Sequence, residues 1–352
     1  MRPMSGVVGN LQIGSRVVVR WRLDPPDPAT GATLTDAVGT LLEVGADALV
    51  VDTSQGAVRI PVARVTAAKQ VPPKPSRRGA AHLAISTEDL QRVMTPAWGA
   101  VERSTLGDWA LRASAGFTQR GSSVVPVGDP GLPLSEAVDH VEEWYAARGL
   151  PAKFALAGPE GFHPGDDVLG ALLSSRGYTV GSRTLNLTAQ RETVVAADPG
   201  GPSLTLSDEL TQEWLDAYRR TRATVPGITE TVLRDGPRVV FGSIAPGGGL
   251  SQQLGLRAAD AAGPTPVALA RLAIGSGWGG LGAVWTDPAY RRRGLAAHLT
   301  AGLAALLRHH DTTLMHLQVE HDNAAAISLY RRMGFDTHSS YVYLTQPQPA
   351  GG

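Results

Sequence analysis

The chain has 352 residues, an apolar fraction of 43%, and 32 Lys+Arg against 32 Asp+Glu. This describes a globular protein of more than one domain, with no gross attraction to nucleic acid or membrane. The sequence contains no cysteine, which excludes disulfides, thiolate metal sites and a cysteine nucleophile. Its first residues lack the basic start and apolar run of a secretion signal, and no segment approaches the ~20 apolar residues of a membrane span. A cytoplasmic location without membrane contact is expected.

In chain order, the first expected elements are short β-rich runs at 15–21, 38–42, 48–52 and 57–61, separated by Gly, Pro and Asp turns. They predict a small all-β barrel over 8–72, ending near a Pro-rich link at 71–75. On its first strand, Arg16, Arg20, Trp21 and Arg22 offer a basic-aromatic surface for a protein or nucleic-acid partner, although a passive barrel also exposes arginines. From 79 to 192 the pattern becomes α+β, with helices expected at 88–98, 134–148 and 168–176 and strand-like runs at 108–113, 154–157 and 179–187.

A Gly-Pro linker at 197–202 leads into residues 203–346. Helices are expected there at 209–220, from Gly294 onward and at 324–332, with strands at 239–244, 267–274, up to Thr286, 313–319 and 341–344. Both segments close with helix, apolar strand, helix and a Gly-aromatic exit, at Gly177-Tyr178 and Gly334-Phe335, and the pair reads as a degenerate tandem duplication, although any two α+β domains can share such an order. The loops 224–235 and 247–253 carry no readable signature.

After the strand ending at Thr286, Leu295, Leu299, Leu303 and Leu306 recur at helical spacing. Arg291, Arg292, Arg293, Gly294, Leu295 and Ala296 therefore straddle a helix N-terminus. Its unpaired N–H groups and positive dipole end suit a pyrophosphate, and Gly294 and Ala296 permit close approach. Three cations there oppose the dipole, a conflict that an anionic ligand relieves. Taken alone, this hexapeptide is equally a solvated basic helix start. The run from Asn323 through the small alanines to Leu329-Tyr330 and Gly334-Phe335 breaks the tie.

Arg-x-x-Gly-x-Ala after one strand and Asn-x-x-Ala-x-x-Leu-Tyr-x-x-x-Gly-Phe after the next resemble the GNAT superfamily of N-acetyltransferases, over about residues 204–345. The resemblance implies an α+β fold: a mixed central sheet, splayed between its fourth and fifth strands and flanked by helices, here in tandem after the barrel. It implies acetyl-CoA as co-substrate and no metal. The pantetheine arm would bond to backbone at Val284, Trp285 and Thr286, the pyrophosphate to Arg291 through Ala296, and Asn323 would touch the pantetheine end. Tyr330 stands at the family position of the acid for the leaving sulfur.

Some relatives carry a glutamate where Gln318 stands. Glutamine can orient a water but cannot accept the proton, so Glu320, on the same strand face, is the first candidate for the base, followed by His316 and His321. The first segment has neither motif and is expected to bind no coenzyme, instead completing a shared sheet or walling off the acceptor cleft. The whole order resembles actinobacterial tandem GNAT proteins with a Tudor-like small barrel. Acetyl transfer to a primary amine of a small molecule or protein, by direct attack, is the activity implied. The alternative is a non-catalytic acyl-CoA sensor or adaptor whose barrel binds a protein or nucleic-acid partner.

Overall fold

The computed structural model describes residues 11, 13, 15–26, 31, 33–45, 47–53, 56–70, 80–246 and 265–347. The chain divides into two compact units, 1–78 and 79–352. The expected link at 71–75 and the loop 247–253 lie outside the described residues.

In the first unit, β1 (Arg16–Arg22), β2 (Leu34–Val44), β3 (Ala48–Thr53), β4 (Gly56–Pro61) and β5 (Val65–Gln70) form an antiparallel sheet in the order β4-β3-β2-β1-β5. Alternation along the strands sends Val17, Val19, Leu41, Leu49, Val51 and Ile60 into one core. β5 lies where the expected barrel ended. A 3-10 turn at Val62–Arg64 redirects the chain, and Val65–Gln70 returns along the free side of β1. Its Ala, Lys and Gln content lacks the β-branched run that marks a strand in sequence. Arg20 meets Asp36 through two 2.7 Å bonds, while Trp21 packs against the core on the opposite strand face. Arg20 and Trp21 therefore do not share one surface, and the side chain of Arg16 lies outside the described residues.

The second unit contains, in order, α1 (Thr87–Met94), β6 (Glu102–Leu106), β7 (Trp109–Ala113), α2 (Leu134–Ala146), β8 (Lys153–Gly158), α3 (Val168–Ser175), β9 (Thr179–Gln190) and α4 (Arg191–Ala196). It continues with β10 (Thr205–Ser207), α5 (Gln212–Arg219), α6 (Ile228–Arg234), β11 (Val239–Ile244), β12 (Ala268–Gly275), β13 (Trp278–Thr286), α7 (Leu295–Leu306), β14 (Leu314–Glu320), α8 (Ala324–Arg332) and β15 (Asp336–Thr345). α1 stops at Met94 instead of running to Trp98, because Pro96 opens a 3-10 turn and Trp98 is extended. α5 starts at its cap Thr211, whose hydroxyl accepts from the N–H of Trp214, later than the expected 209. α6 occupies the loop that carried no signature.

Eight strands join in one sheet, β10-β11-β12-β13-β14-β9-β15-β8. The last strand of each segment pairs with the other segment: β9 lies antiparallel to β14, and β15 runs between β9 and β8. The two halves thus exchange strands and share one sheet. Both helices leading into the exchanged strands end alike. Gly177 and Gly334 take φ of +81° and +86°, and the N–H of Tyr178 and of Phe335 each reach back 3.0 Å to a carbonyl of the last helical turn.

The faces of this sheet differ. Leu185, Leu187, Leu317 and Val319 pack against Leu299 and Leu303 of α7 in the largest apolar cluster. Alternate positions on β14, namely His316, Gln318 and Glu320, stand beside Thr188, Asn186 and Thr184 of β9 and give the other face its polar character. Among the described residues no helix is long and apolar enough to cross a membrane.

Candidate active site

β13 and β14 are paired, in parallel, only from Trp278/Leu314 to Leu281/Leu317. Beyond that point β13 stays with β12 while β14 stays with β9, so the strands fork. The register between β12 and β13 slips between Leu269 and Arg271, and Ala283 takes a φ of +52°, the signature of a bulge that bends the end of β13. A cleft of about 490 Å³ opens at the fork, and Val284, Gln318, Glu320, Asn323 and Tyr330 all line it. Position 282 packs tightly, since a Cβ there would stand 3.0 Å from the Trp98 ring, which would have to give by a few tenths of an ångström.

Past Thr286, the Asp287 carboxylate accepts from the N–H of Ala289 at 2.9 Å and pairs with Arg220, fixing the turn. Gly294 is the left-handed residue before α7, at φ +77°, and no side chain caps this helix. The N–H groups of its first turn, at Leu295 and Ala296, are therefore open. Arg291, Arg292 and Arg293 are exposed, and among the described residues none of them pairs with a carboxylate. Arg291 bonds the Thr286 carbonyl at 3.3 Å, and the Arg293 guanidinium lies 5.1 Å from the Tyr290 ring centre. Open N–H groups, a left-handed glycine and uncompensated guanidinium charge form a donor set that fits a pyrophosphate. The fork-facing edge of β13, without a strand partner, fits an extended amide-bearing arm.

Tyr330 is buried on α8 with its ring edge-on to Phe335, centroids 5.6 Å apart. No protein group among the described residues bonds its hydroxyl, and burial pushes its pKa up. Asn323 is exposed at the cleft, and its Oδ1 accepts from the N–H of Ala326 at 3.1 Å to cap α8. That leaves its amide NH₂ for a ligand. Gln318 is half-buried and Glu320 exposed at the end of β14. His316 opens onto a side chamber and not onto the main cleft. Its pKa is pushed down to about 3 by burial, with a smaller contribution from the Arg120 charge. His321 is exposed and does not line the cleft. Of the four proton-handling candidates on or beside β14, only Gln318 and Glu320 share the main cleft with Tyr330.

The opposite wall comes from residues that the motifs did not indicate: Trp98, Phe117 and Arg120 of the first segment and Tyr341 and Tyr343 of β15. Trp98 is stacked between Arg120 and Arg271, at 5.0 and 5.4 Å, and its Nε1–H donates to Thr118 at 3.1 Å. No local pattern marks these side chains, because the fold brings them in from remote parts of the chain. In the first segment the corresponding gap between β7 and β8 is filled. Val125 bridges to Ala110 and Val124 to Phe154, so no comparable fork opens there.

Two family models match the sequence: "Probable histone acetyltransferase Rv0428c C-terminal" over residues 87–344 and "Rv0428c N-terminal Sm-like domain" over 11–69. The Uncharacterized N-acetyltransferase YobR of Bacillus subtilis is 25% identical over 258 residues, covering 72% of this chain and 96% of that protein. The Probable histone acetyltransferase Rv0428c of Mycobacterium tuberculosis is 29% identical over 239 residues, covering 66% and 67%. Among solved structures, a GCN5-related N-acetyltransferase from Kribbella flavida shares the fold with a TM-score of 0.51 at 21% identity, covering 74% of this chain and 94% of that one. The small barrel expected at the N-terminus is thus of the Sm-like kind. Because the C-terminal family model spans well over half of the sequence, the chain belongs to the Rv0428c acetyltransferase family, and its fold is that of a GCN5-related N-acetyltransferase.

Proposed function

We propose that this protein transfers acetyl from acetyl-CoA to a primary amine by direct attack in the fork between β13 and β14. One observation carries the reading: Tyr330, whose hydroxyl has no protein partner among the described residues, lines the same cleft as the unpaired edge of β13, and that strand continues into the Arg291–Ala296 loop.

Acetyl-CoA supplies an activated thioester. Arg291, Arg292 and Arg293, with the open N–H groups of Leu295 and Ala296 beside Gly294, hold its pyrophosphate. Backbone at Val284, Trp285 and Thr286 aligns the pantetheine arm, and the Asn323 amide meets its end. Tyr330 keeps its proton into the alkaline range because burial disfavours the phenolate, so it is available as donor to the departing sulfur. Glu320 takes the ammonium proton, directly or through a water oriented by Gln318.

The test is release of free thiol from acetyl-CoA with a panel of amines, amino acids and basic proteins. Transfer that falls about 100-fold in kcat in Tyr330→Phe, with coenzyme affinity unchanged, is the expected result. Tight coenzyme binding without transfer to any acceptor would instead identify a sensor. Failure of the wild type to bind the coenzyme would overturn both readings.

A further inference from the structure

Three guanidinium groups line the cleft or the two small chambers that share its walls, and acetyl transfer as described gives none of them a bonding partner in the substrate. Arg271 is fully buried and spends its donors on neutral carbonyls, Ala97 at 2.6 Å, Asp235 at 2.7 Å and Leu233 at 2.8 Å. The Asp235 carboxylate is engaged by Arg103 and by the N–H of Ala100. Arg112, also buried, reaches only the carbonyl and hydroxyl of Ser123, at 3.4 and 3.3 Å. Arg120 lies between these two, lining the cleft and both of the small chambers that lead from it. Its guanidinium lies over the Trp98 ring face, and its Nε is buried without a partner among the described residues.

A second unsatisfied donor points to the same place. Gln91 is 4% exposed, and its Nε2 has no partner among the described residues. It lines one of those chambers together with Arg112, Arg120 and the hydroxyl-bearing Tyr341 and Tyr343. No carboxylate lines either chamber, and the one acid of the main cleft is Glu320, exposed at the end of β14. Uncompensated positive charge and orphaned donors, all partly desolvated, are unfavourable unless an acceptor arrives. Each chamber holds about 10 Å³, roughly the room for one water-sized atom. An anionic group must therefore stand in the main cleft, with at most one oxygen entering a chamber.

We propose that the acceptor is an amine that also carries a carboxylate, bound by the Arg120 guanidinium with support from the Gln91 amide, while its amino group is directed toward Tyr330 and Glu320. The Arg120 guanidinium, with donors to spare, matches a singly charged, planar group through a forked contact; Arg222, the other arginine lining the cleft, lies over the Tyr218 ring at 5.4 Å. Positive charge at Arg120 and negative charge at Glu320, both lining the one cleft, suit a zwitterion. This inference rests on the transfer reading above and specifies its acceptor class.

The experiment compares matched pairs, glycine, alanine, glutamate and lysine against their α-carboxamides, in the wild type, Arg120→Gln and Arg120→Lys. The wild type is expected to prefer the free amino acids. Arg120→Gln is expected to raise KM for them by about 10- to 100-fold, the worth of a charge-assisted bond, with KM for the carboxamides and coenzyme affinity unchanged. Arg120→Lys should recover part of the loss. Equal use of acid and amide by the wild type overturns the proposal. So does an equal loss of kcat for both in Arg120→Gln, which would place Arg120 at the thioester oxygen. Should that variant not fold, the wild-type comparison decides alone. Calorimetric titration of the same amino acids into the coenzyme-A-bound protein separates the two readings. Binding that depends on Arg120 and on the carboxylate, without thiol release, retires the transfer and keeps the anion site; transfer indifferent to the carboxylate does the reverse.

Discussion

Burial acts in opposite chemical directions on Tyr330 and His316, yet leaves both neutral. The phenol keeps its proton and the imidazole sheds one, since each charged form is penalised by desolvation. For His316 this has a consequence for stability. Its folded pKa of about 3 lies below the ordinary 6.5, so the unfolded chain takes up the proton first as pH falls. The contribution is whole above about pH 6.5 and is lost progressively down to about pH 3. His82, also depressed chiefly by burial, adds to the same acid limb. In His316→Gln, urea unfolding measured from pH 7 to 4 should show a shallower fall in stability than in the wild type; an unchanged slope would contradict the assignment. At the phosphate loop, Arg292→Gln with Arg293→Gln should weaken coenzyme binding by roughly tenfold at low salt, with a smaller difference at high salt. Calorimetry at two ionic strengths checks this. Arg291 to Ala296 and Asn323 to Tyr330 were legible in the sequence because each lies at a helix start or along a single helix. Arg120, Gln91 and Trp98 were not, since only tertiary packing carries them to the cleft.

At the scale of elements, the motif ending in Gly334-Phe335 is a helix stop as much as a coenzyme-site signature. Gly334 at φ +86° lets the N–H of Phe335 return to the Tyr330 carbonyl at 3.0 Å, which holds the last turn of the helix bearing the proposed acid. A Cβ at this position would also stand 2.2 Å from Cγ2 of Thr193. Gly334→Ala is therefore expected to cost about 2 kcal/mol or more, read as a lowered urea midpoint, and to reduce kcat through the position of Tyr330. Helix stops of this kind are written locally, which is why 168–176 and 324–332 were placed to within a residue. The loop 224–235 was opaque for the converse reason. α6 is only Ile228–Arg234 and begins at Gly227 with no side-chain cap, so it carries too few turns to show a period.

For the molecule as a whole, the order of strands was the least legible feature. Alternation and apolar runs report which residues form strands, but nothing in β9 or β15 says that each pairs with the opposite segment. The exchange has a direct test. Residues 79–196 and 203–347, expressed separately, should each lack cooperative unfolding, because β8 loses β15 in one fragment and β14 loses β9 in the other. Coexpression should restore a single cooperative transition in circular dichroism. A fragment that folds alone would refute this account.

The same pairing imposes a schedule on synthesis. Gly158 finds its partner in Ser340, so the edge of β8 stays bare while the whole second segment is translated, roughly ten seconds or more at ordinary elongation rates. A nascent chain with an exposed apolar edge is a natural client for chaperones. A frameshift within the codons of Asp336–Thr345 would unmake the first segment along with the second, although it alters none of the residues of the first.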